Sequence, residues 1–178
     1  MNTIECIKQR RTIRSFTDRK VDRKIIEQII EAASMAPSWK NTQITRYIVV
    51  EDENLKNKIA NECCPEYNEK NILSAPILVA TTIVKKRSGY ERDGSYSTTK
   101  ESGWEMYDCG IASQTFSLAA WELGVGSVIM GIFDYEKVSQ LLQVPEGQEI
   151  VALIALGYPN VVPQPPKKKT VADLVTYR

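Results

Sequence analysis

The chain has 178 residues, of which 43% are hydrophobic and 25% are charged, a composition typical of one ordinary globular domain. Its 23 basic and 22 acidic residues nearly cancel, which excludes the strongly basic surface of a general nucleic-acid-binding protein. The sequence contains no histidine, so imidazole is excluded as a metal ligand, a general base or a member of a catalytic triad.

The cysteines and the N-terminus predict a cellular location. The four cysteines lack the paired spacing of a zinc site and the density of a disulfide scaffold; they are Cys6, Cys63, Cys64 and Cys109. We interpret them as reduced thiols with no functional role. The first residues carry charge without a following apolar stretch, and no segment reaches the roughly 18 apolar residues of a membrane span. We therefore expect a cytoplasmic protein with no membrane partner.

Hydrophobic periodicity predicts the elements of the first half of the chain. Residues 3–9 are predicted as a short helix, and the apolar spacing from Val21 to Ala33 predicts a second helix, capped by Asp22 and ended before Pro37. A strand over 44–50 and two short helices, one around residues 55–60 and one after Pro65, follow. The uninterrupted apolar run at 77–84 predicts a strand covered on both faces, at the centre of the sheet.

The second half begins with a polar segment. Residues 85–100 lack periodicity and predict a mobile surface loop that could act as a lid. Residues 101–123 show the longest helical pattern, so apolar around its circumference that burial on all sides is expected. Two strands, over 127–133 and 150–156, flank a short helix capped by Asp134. We predict a single domain over 1–178 in which proline-rich residues 158–178 form an extended C-terminal arm.

Two clusters of basic residues lie at opposite ends of the chain, one formed by Arg10, Arg11 and Arg14 and the other by Lys167, Lys168 and Lys169. Together they could bind one phosphate, because each charge-assisted hydrogen bond to an anion contributes roughly 1.5–3 kcal/mol. Each cluster by itself is also compatible with an ordinary solvated surface.

Three further features could contact a ligand. The loop over residues 37–43 gathers hydroxyl, indole and amide groups directly after a helix, although serine and asparagine also favour turns for local reasons. Asn68 and Asn71 are one helical turn apart and are equally compatible with a polar surface. Gly131 follows a predicted strand, where the missing side chain would let a flat ligand approach the backbone, or would simply allow a bulge.

The order of these pieces closely resembles the FMN-dependent nitroreductase family. Arg-Arg-Thr-Ile-Arg-Ser-Phe occupies 10–16, and Ala-Pro-Ser-x-x-Asn-x-Gln occupies 36–43. The predicted long helix and its end supply the third part of the pattern: Trp104, Asp108, Gly110, Ala112, Gln114, Leu118, Ala119, Ala120, Gly124 and Gly126. The resemblance covers the chain from Arg10 to Lys169. It implies an α+β fold with a central mixed β-sheet flanked by helices, in an interlocked homodimer that holds two FMN molecules at the subunit interface.

The resemblance also implies a set of FMN-binding residues. From one subunit it implies contacts to the phosphate, the ribityl chain and the ring from Arg10, Arg11, Thr12, Arg14, Asn68, Asn71, Met130, Gly131, Lys167 and Lys169. The other subunit would contribute Pro37, Ser38, Trp39 and Asn41. No side chain is expected to act as a catalytic residue. Arg14 would stabilise negative charge on the reduced ring, and the N–H of Gly131 would approach flavin N5.

The implied activity is ping-pong hydride transfer from NADH or NADPH through FMN to a nitroaromatic, a quinone or a similar small acceptor. Three departures from the family pattern leave alternatives open: Asn71 in place of a frequent lysine, Ile44 after Gln43, and a chain shorter than many relatives. The alternatives are a specialised dehalogenase or oxidase on the same scaffold, and a flavin-binding carrier or sensor without catalysis.

Overall fold

The computed structural model describes residues 2–178 and shows helices on both faces of one sheet. The helices are α1 (Thr3–Gln9), α2 (Arg23–Ser34), α3 (Glu53–Cys63), α4 (Glu66–Leu73), α5 (Gly103–Glu122), α6 (Tyr135–Leu141) and α7 (Val171–Leu174). The strands are β1 (Thr45–Val50), β2 (Ile77–Val84), β3 (Gly126–Met130) and β4 (Gln148–Gly157). The predicted α+β class is confirmed.

The four strands are ordered β1-β2-β4-β3, and all three pairings are antiparallel. Seven of the eight residues of β2 are buried, which confirms the central position predicted from its uninterrupted apolar sequence. We expected a mixed sheet. Among residues 2–178, parallel pairing is limited to one isolated bridge outside the four strands, between Thr12 and Ser127.

Side-chain caps start the helices where the sequence predicted. Asp22 accepts a hydrogen bond from Lys24 N at 2.9 Å, and Asp134 accepts one from Lys137 N at 2.9 Å. Each cap satisfies a backbone N–H that has no partner within its helix, a contribution of about 1 kcal/mol.

The sheet separates two hydrophobic cores. On one face α2 and α5 pack against the sheet around the fully buried Phe116, Ile29 and Ile154. On the other face α3, α4 and α6 cover a core that includes Ile59 and Leu153. The candidate site therefore rests on a closely packed sheet, and its residues lie on the segments around it.

Helix α5 departs from the prediction that it would be buried around its whole circumference. Cys109 and Phe116 are fully buried against the sheet, but Met106 and Tyr107 are 45% and 61% exposed, and Gly110 is also exposed. The prediction is wrong for a single chain because one sheet can cover only one side of a helix. The other side presents apolar residues to solvent.

The segment over 85–100 is packed at its base rather than lying wholly on the surface. Ser88 and Gly89 are buried, and residues 90 and 96 form an antiparallel bridge. Gly89 has φ +84, and a Cβ at this position would lie 2.6 Å from the carbonyl oxygen of Glu101, so only glycine fits there. Ser88 also donates a hydrogen bond to Asp108 of α5, so this helix anchors the start of the segment predicted as a lid.

The C-terminal residues after Pro159 lie on the surface of the chain. Residues 160–178 are all exposed, including the short helix α7, which the sequence analysis did not anticipate. Several of the exposed side chains are large and apolar: Val161, Val162, Val171, Leu174, Val175 and Tyr177. A single chain provides no cover for them.

Candidate functional site

The N-terminal arginine segment follows α1 and lies beside the edge strand β3. Ile13 N donates to the carbonyl oxygen of Ser127 at 3.0 Å. At Gly126 a Cβ would come within 2.5 Å of Ile13 Cγ1, so the close approach of the two segments requires glycine. This contact fixes the backbone from which Arg10, Thr12 and Arg14 extend.

The C-terminal arm meets the same segment. Residues 16 and 159 form an antiparallel bridge, and Asn160 N donates to the carbonyl oxygen of Ser15 at 3.0 Å. Beyond this point the arm and the arginine segment enclose a cavity of about 650 Å³, lined by Ile7, Lys8, Arg10, Arg11, Thr12, Arg14, Pro163, Gln164, Pro165, Pro166 and Lys168. The structure thus brings residues from both predicted basic clusters to this one cavity, the cationic cavity.

The basic side chains of this cavity differ in their partners. Arg11 Nη1 donates to the carbonyl oxygens of Lys8, Gln9 and Arg10 at 2.8–2.9 Å, so its guanidinium caps the C-terminus of α1. The guanidinium groups of Arg10 and Arg14 have no hydrogen bond or ion pair with another residue of the described chain. They are therefore available to an anion.

The lysines are not equally placed. Lys168 lines the cavity, whereas Lys167 and Lys169, the two predicted from the resemblance, are exposed residues outside its lining. The predicted phosphate contacts of Lys167 and Lys169 stay a prediction. Lys168 is the lysine that a single chain places against the arginines.

Helix α4 places the two asparagines between the arginine segment and the end of β3. Asn68 is buried and its Nδ2 donates to the carbonyl oxygen of Ile132 at 2.9 Å, while its Oδ1 accepts no hydrogen bond from residues 2–178. Asn71, one turn later, is also buried. Ser74 Oγ, at the end of the helix, contacts the carbonyl oxygen of Arg14 at 3.5 Å. Neither asparagine lines the cationic cavity.

The end of β3 offers backbone rather than side chains. The side chain of Met130 is buried in the core beneath α3, α4 and α6, so a ligand would meet this residue through its backbone. Gly131 is exposed, and the nearest atom to a Cβ built there would be Tyr135 Oη at 3.9 Å. Tyr135 Oη also donates to the carbonyl oxygen of Gly131 at 2.8 Å. The missing side chain leaves one open side of this backbone.

The polar loop over residues 37–43 lies elsewhere, against α5. Ser38 Oγ accepts from Gln43 N at 2.9 Å, and the loop contains a one-turn 3₁₀ helix, Trp39–Asn41. Pro37, Ser38 and Gln43 line a second cavity of about 310 Å³ between α2, β1 and α5. This cavity shares no lining residue with the cationic cavity. Asn41 is exposed at the turn.

Asp108 belongs to the family pattern in the sequence, and the structure gives it contacts that were not predicted. Asp108 Oδ2 accepts from Trp39 N at 2.9 Å and from Ser88 Oγ at 2.5 Å. Ser88 Oγ is in turn 2.7 Å from Thr42 Oγ1. The available signal was a single acid in an apolar helical stretch, which is unfavourable inside a core unless hydrogen bonds satisfy it.

The cysteines are not activated as nucleophiles. Burial raises the pKa of Cys64 to about 11, and burial also raises the pKa values of Cys6, Cys63 and Cys109. Within residues 2–178 no three His, Cys, Asp or Glu side chains come together as a metal site. In the same range no helix has the length and apolar character needed to cross a bilayer.

Comparison with known proteins identifies the family. The sequence profile described as Nitroreductase family matches residues 7–71 and 64–158. The chain is 33% identical over 165 residues to a protein of Methanothermobacter thermautotrophicus that bears the names NADH dehydrogenase and NAD(P)H nitroreductase, a match covering 89% of this chain and 78% of that one.

Solved structures agree. A nitroreductase family protein from Streptococcus pneumoniae matches with a TM-score of 0.88 at 23% identity, over 99% of this chain and 100% of the other. An FMN-dependent nitroreductase from Clostridium difficile matches with a TM-score of 0.73 at 25% identity, over 97% of this chain and 94% of the other. The chain belongs to the nitroreductase family.

Proposed function

We propose that the protein is an NAD(P)H-dependent FMN oxidoreductase that reduces a nitroaromatic, a quinone or a similar electron-poor acceptor. The observation that carries the proposal is the cavity in which the unpaired Arg10 and Arg14 face the C-terminal arm. The names of the relatives, which include NAD(P)H nitroreductase and FMN-dependent nitroreductase, support the same activity.

The cationic cavity fits the phosphate of FMN. A phosphomonoester carries a charge of about −1.5 to −2 at neutral pH, so it needs several cations or N–H donors. Arg10 supplies a guanidinium group that no carboxylate already occupies, and Lys168 supplies an ammonium group from the opposite wall. We include Lys167 and Lys169 in the proposed set because they flank Lys168 on the arm. Arg11 supports the cavity by fixing the end of α1.

The segments beside the cavity fit a flat ring. Asn68 is held by its hydrogen bond to the carbonyl oxygen of Ile132, which leaves its Oδ1 as an acceptor for a ring N–H. Asn71 offers an amide from the next turn of α4, and Gly131 offers backbone on a side without a side chain. A ring lying there would meet amide groups at its edge and backbone at its centre.

FMN, when bound, would supply the electron chemistry of a ping-pong hydride transfer from a nicotinamide nucleotide to the acceptor. The protein binds, orients and adjusts charge. Arg14 has no carboxylate partner, so its charge can stabilise the negative charge of the reduced ring. Asn71 contributes no such charge, and Arg14 is therefore the cation that we assign to this role.

We further propose that the active form is a homodimer. Met106 and Tyr107 on α5, together with the apolar residues of the arm, remain uncovered in a single chain. Exposed apolar residues that are contiguous on one helix mark an interface. The proposed ligands Pro37, Ser38, Trp39 and Asn41 lie on a loop that is separate from the cationic cavity. In a homodimer this loop would complete the site of the other subunit.

The experiment that tests the proposal is reconstitution of the purified protein with FMN, followed by anaerobic mixing with NADH or NADPH. We expect a retained yellow chromophore that is bleached by at least one nucleotide and restored by a nitroaromatic or quinone acceptor. The loaded protein should sediment as a dimer of 20.1 kDa subunits.

The possible results separate the activities. Protein that retains no flavin would contradict the proposal. If the protein retained flavin that neither nucleotide reduces, a flavin carrier or an oxidase would be the better interpretation of its function. Riboflavin serves as the control ligand, since it has the same ring and lacks the phosphate.

A further inference from the structure

We propose that Asp108 is a positioning residue, which fixes the loop Pro37–Gln43 against α5 and joins it to Ser88, so that the loop presents a preformed surface to the flavin. The proposal rests on the proposed function, in which the Pro37–Gln43 loop faces FMN. Asp108 itself is 4% exposed and belongs to no proposed contact with the ligand.

The carboxylate of Asp108 is the common acceptor of two separate segments. One oxygen, Oδ2, accepts a hydrogen bond from Trp39 N in the Pro37–Gln43 loop and another from Ser88 Oγ in the segment over 85–100. No lysine or arginine of the described chain forms an ion pair with it. A buried carboxylate without a cation is tolerated only when its hydrogen bonds are made, so both segments are needed to satisfy it.

The loop needs such support because its backbone is strained. Lys40, Asn41 and Gln43 have φ values of +46, +56 and +49, in the left-handed region that residues other than glycine rarely adopt. Strain of this kind costs about 1–3 kcal/mol at each residue and persists only where surrounding contacts impose it. The hydrogen bond from Trp39 N to Asp108 lies directly before the first strained residue.

Further contacts tie the two segments into one unit. The rings of Trp39 and Trp104 lie 4.7 Å apart, and Trp104 Nε1 donates to Thr98 Oγ1 at 2.9 Å. At the tip, Lys40 Nζ lies 3.0 Å from Glu91 Oε1. Because Asp108 is the buried acceptor beneath these contacts, its loss should free the loop and the part of the 85–100 segment around Ser88.

Helix α5 contains a matched control one turn earlier. Glu105 is also buried, at 5% exposure, and its Oε1 accepts from Lys86 N at 2.5 Å, holding another left-handed residue, Lys86, at φ +60. It therefore resembles Asp108 in burial, in helix and in the kind of bond that it accepts. It makes no hydrogen bond to the Pro37–Gln43 loop.

The experiment compares Asp108→Ala with Glu105→Ala. In the flavin-free proteins, near-ultraviolet circular dichroism reports the Trp39 and Trp104 pair. We expect Asp108→Ala to change this signal, because two hydrogen bonds to a charged group are lost. We also expect the affinities for FMN and riboflavin to fall equally, by about tenfold. At saturating FMN its rate of reduction by NAD(P)H should stay within about twofold of wild type, since Asp108 does not touch the reacting atoms.

Two further variants complete the series. Asp108→Asn keeps an acceptor oxygen and should recover most of the flavin affinity. Ser88→Ala removes one of the two donors and should give an intermediate loss. It also replaces Asp108→Ala in the comparison if that variant does not fold.

The results expected for Glu105→Ala are an unchanged tryptophan signal and a flavin affinity within about twofold of wild type. The proposal is overturned if Asp108→Ala leaves both readouts unchanged, or if Glu105→Ala produces the same losses. Wild-type protein that binds no FMN would contradict the proposed function instead. The tryptophan signal, measured without flavin, would then still decide whether Asp108 positions the loop.

Discussion

The cationic cavity and the Pro37–Gln43 loop hold their polar groups by different means. In the cavity, the guanidinium groups of Arg10 and Arg14 have no protein partner among the described residues, and Arg14 is exposed. In the loop, backbone N–H groups are bonded to Ser38 and Asp108, and three residues are held in strained conformations. The arginine side chains of the cavity are unpaired and can adjust to a ligand, whereas the backbone of the loop is fixed before any ligand binds.

The difference indicates what each part recognises. An arginine side chain loses rotational freedom when it binds, so the cavity must recover that cost from the charge of the anion. A preformed loop loses little on binding but can accept only one shape. We therefore expect the cavity to distinguish ligands with and without a phosphate, and the loop to contribute equally to both.

The largest expected effect tests the cavity. Arg10→Ala should lower the affinity for FMN by about 10- to 100-fold, because a charge-assisted hydrogen bond of roughly 1.5–3 kcal/mol is lost. The affinity for riboflavin should stay nearly unchanged. Titration of flavin-free protein with each ligand, followed by fluorescence, measures the two dissociation constants. Equal losses of affinity for FMN and riboflavin would contradict the placement of the phosphate in the cationic cavity.

Arg11→Ala is the matched control in the same segment. Its guanidinium is already bonded to the carbonyl oxygens at the end of α1, so its loss should lower thermal stability more than it changes the ratio of FMN to riboflavin affinity. If this variant were as selective against FMN as Arg10→Ala, the assignment of Arg11 as a helix cap would be wrong.

Most of the fold could be predicted because its signals are local. The apolar run at 77–84 matches β2 residue for residue, and Asp22 and Asp134 start their helices where a side-chain oxygen can accept a free N–H. The burial of α5 could not be predicted in the same way. Its apolar circumference does not indicate which side the sheet covers, and the side that carries Met106 and Tyr107 is exposed.

The site was predictable where charge or chain order carried the signal. The basic residues at both ends of the chain were expected to meet, and they do, although Lys168 rather than its two neighbours lines the cavity. The contacts of Asp108 could not be foreseen, since Trp39 and Ser88 lie 69 and 20 residues away in sequence. Only the tertiary packing of two irregular segments on α5 brings these groups together.

A smaller effect tests the loop. Ser38→Ala removes the acceptor of Gln43 N, a neutral hydrogen bond that contributes about 0.5–1.5 kcal/mol. We expect FMN and riboflavin affinities to fall together, by about two- to tenfold, because the strained turn loses one of its restraints while the cationic cavity is untouched. Parallel titrations with the two ligands measure this. A loss confined to FMN would mean that Ser38 contacts the phosphate, and the contrast between the two parts would fail.

The smallest effect concerns the contact between the loop tip and the segment over 85–100. Hydrogen bonding from Ser97 and the nearby Lys40 lower the pKa of Glu91 below its usual 4.5. The stabilisation is therefore present above about pH 4.5 and is lost as the pH falls through the lowered pKa, where the carboxylate is protonated.

Both side chains are about half exposed, so Glu91→Gln should change flavin affinity by less than about twofold at pH 7. Thermal unfolding of wild type and Glu91→Gln should differ slightly at pH 7 and coincide once the pH has fallen below the lowered pKa of Glu91. A difference that persists in acid would show that Glu91 acts through something other than its charge.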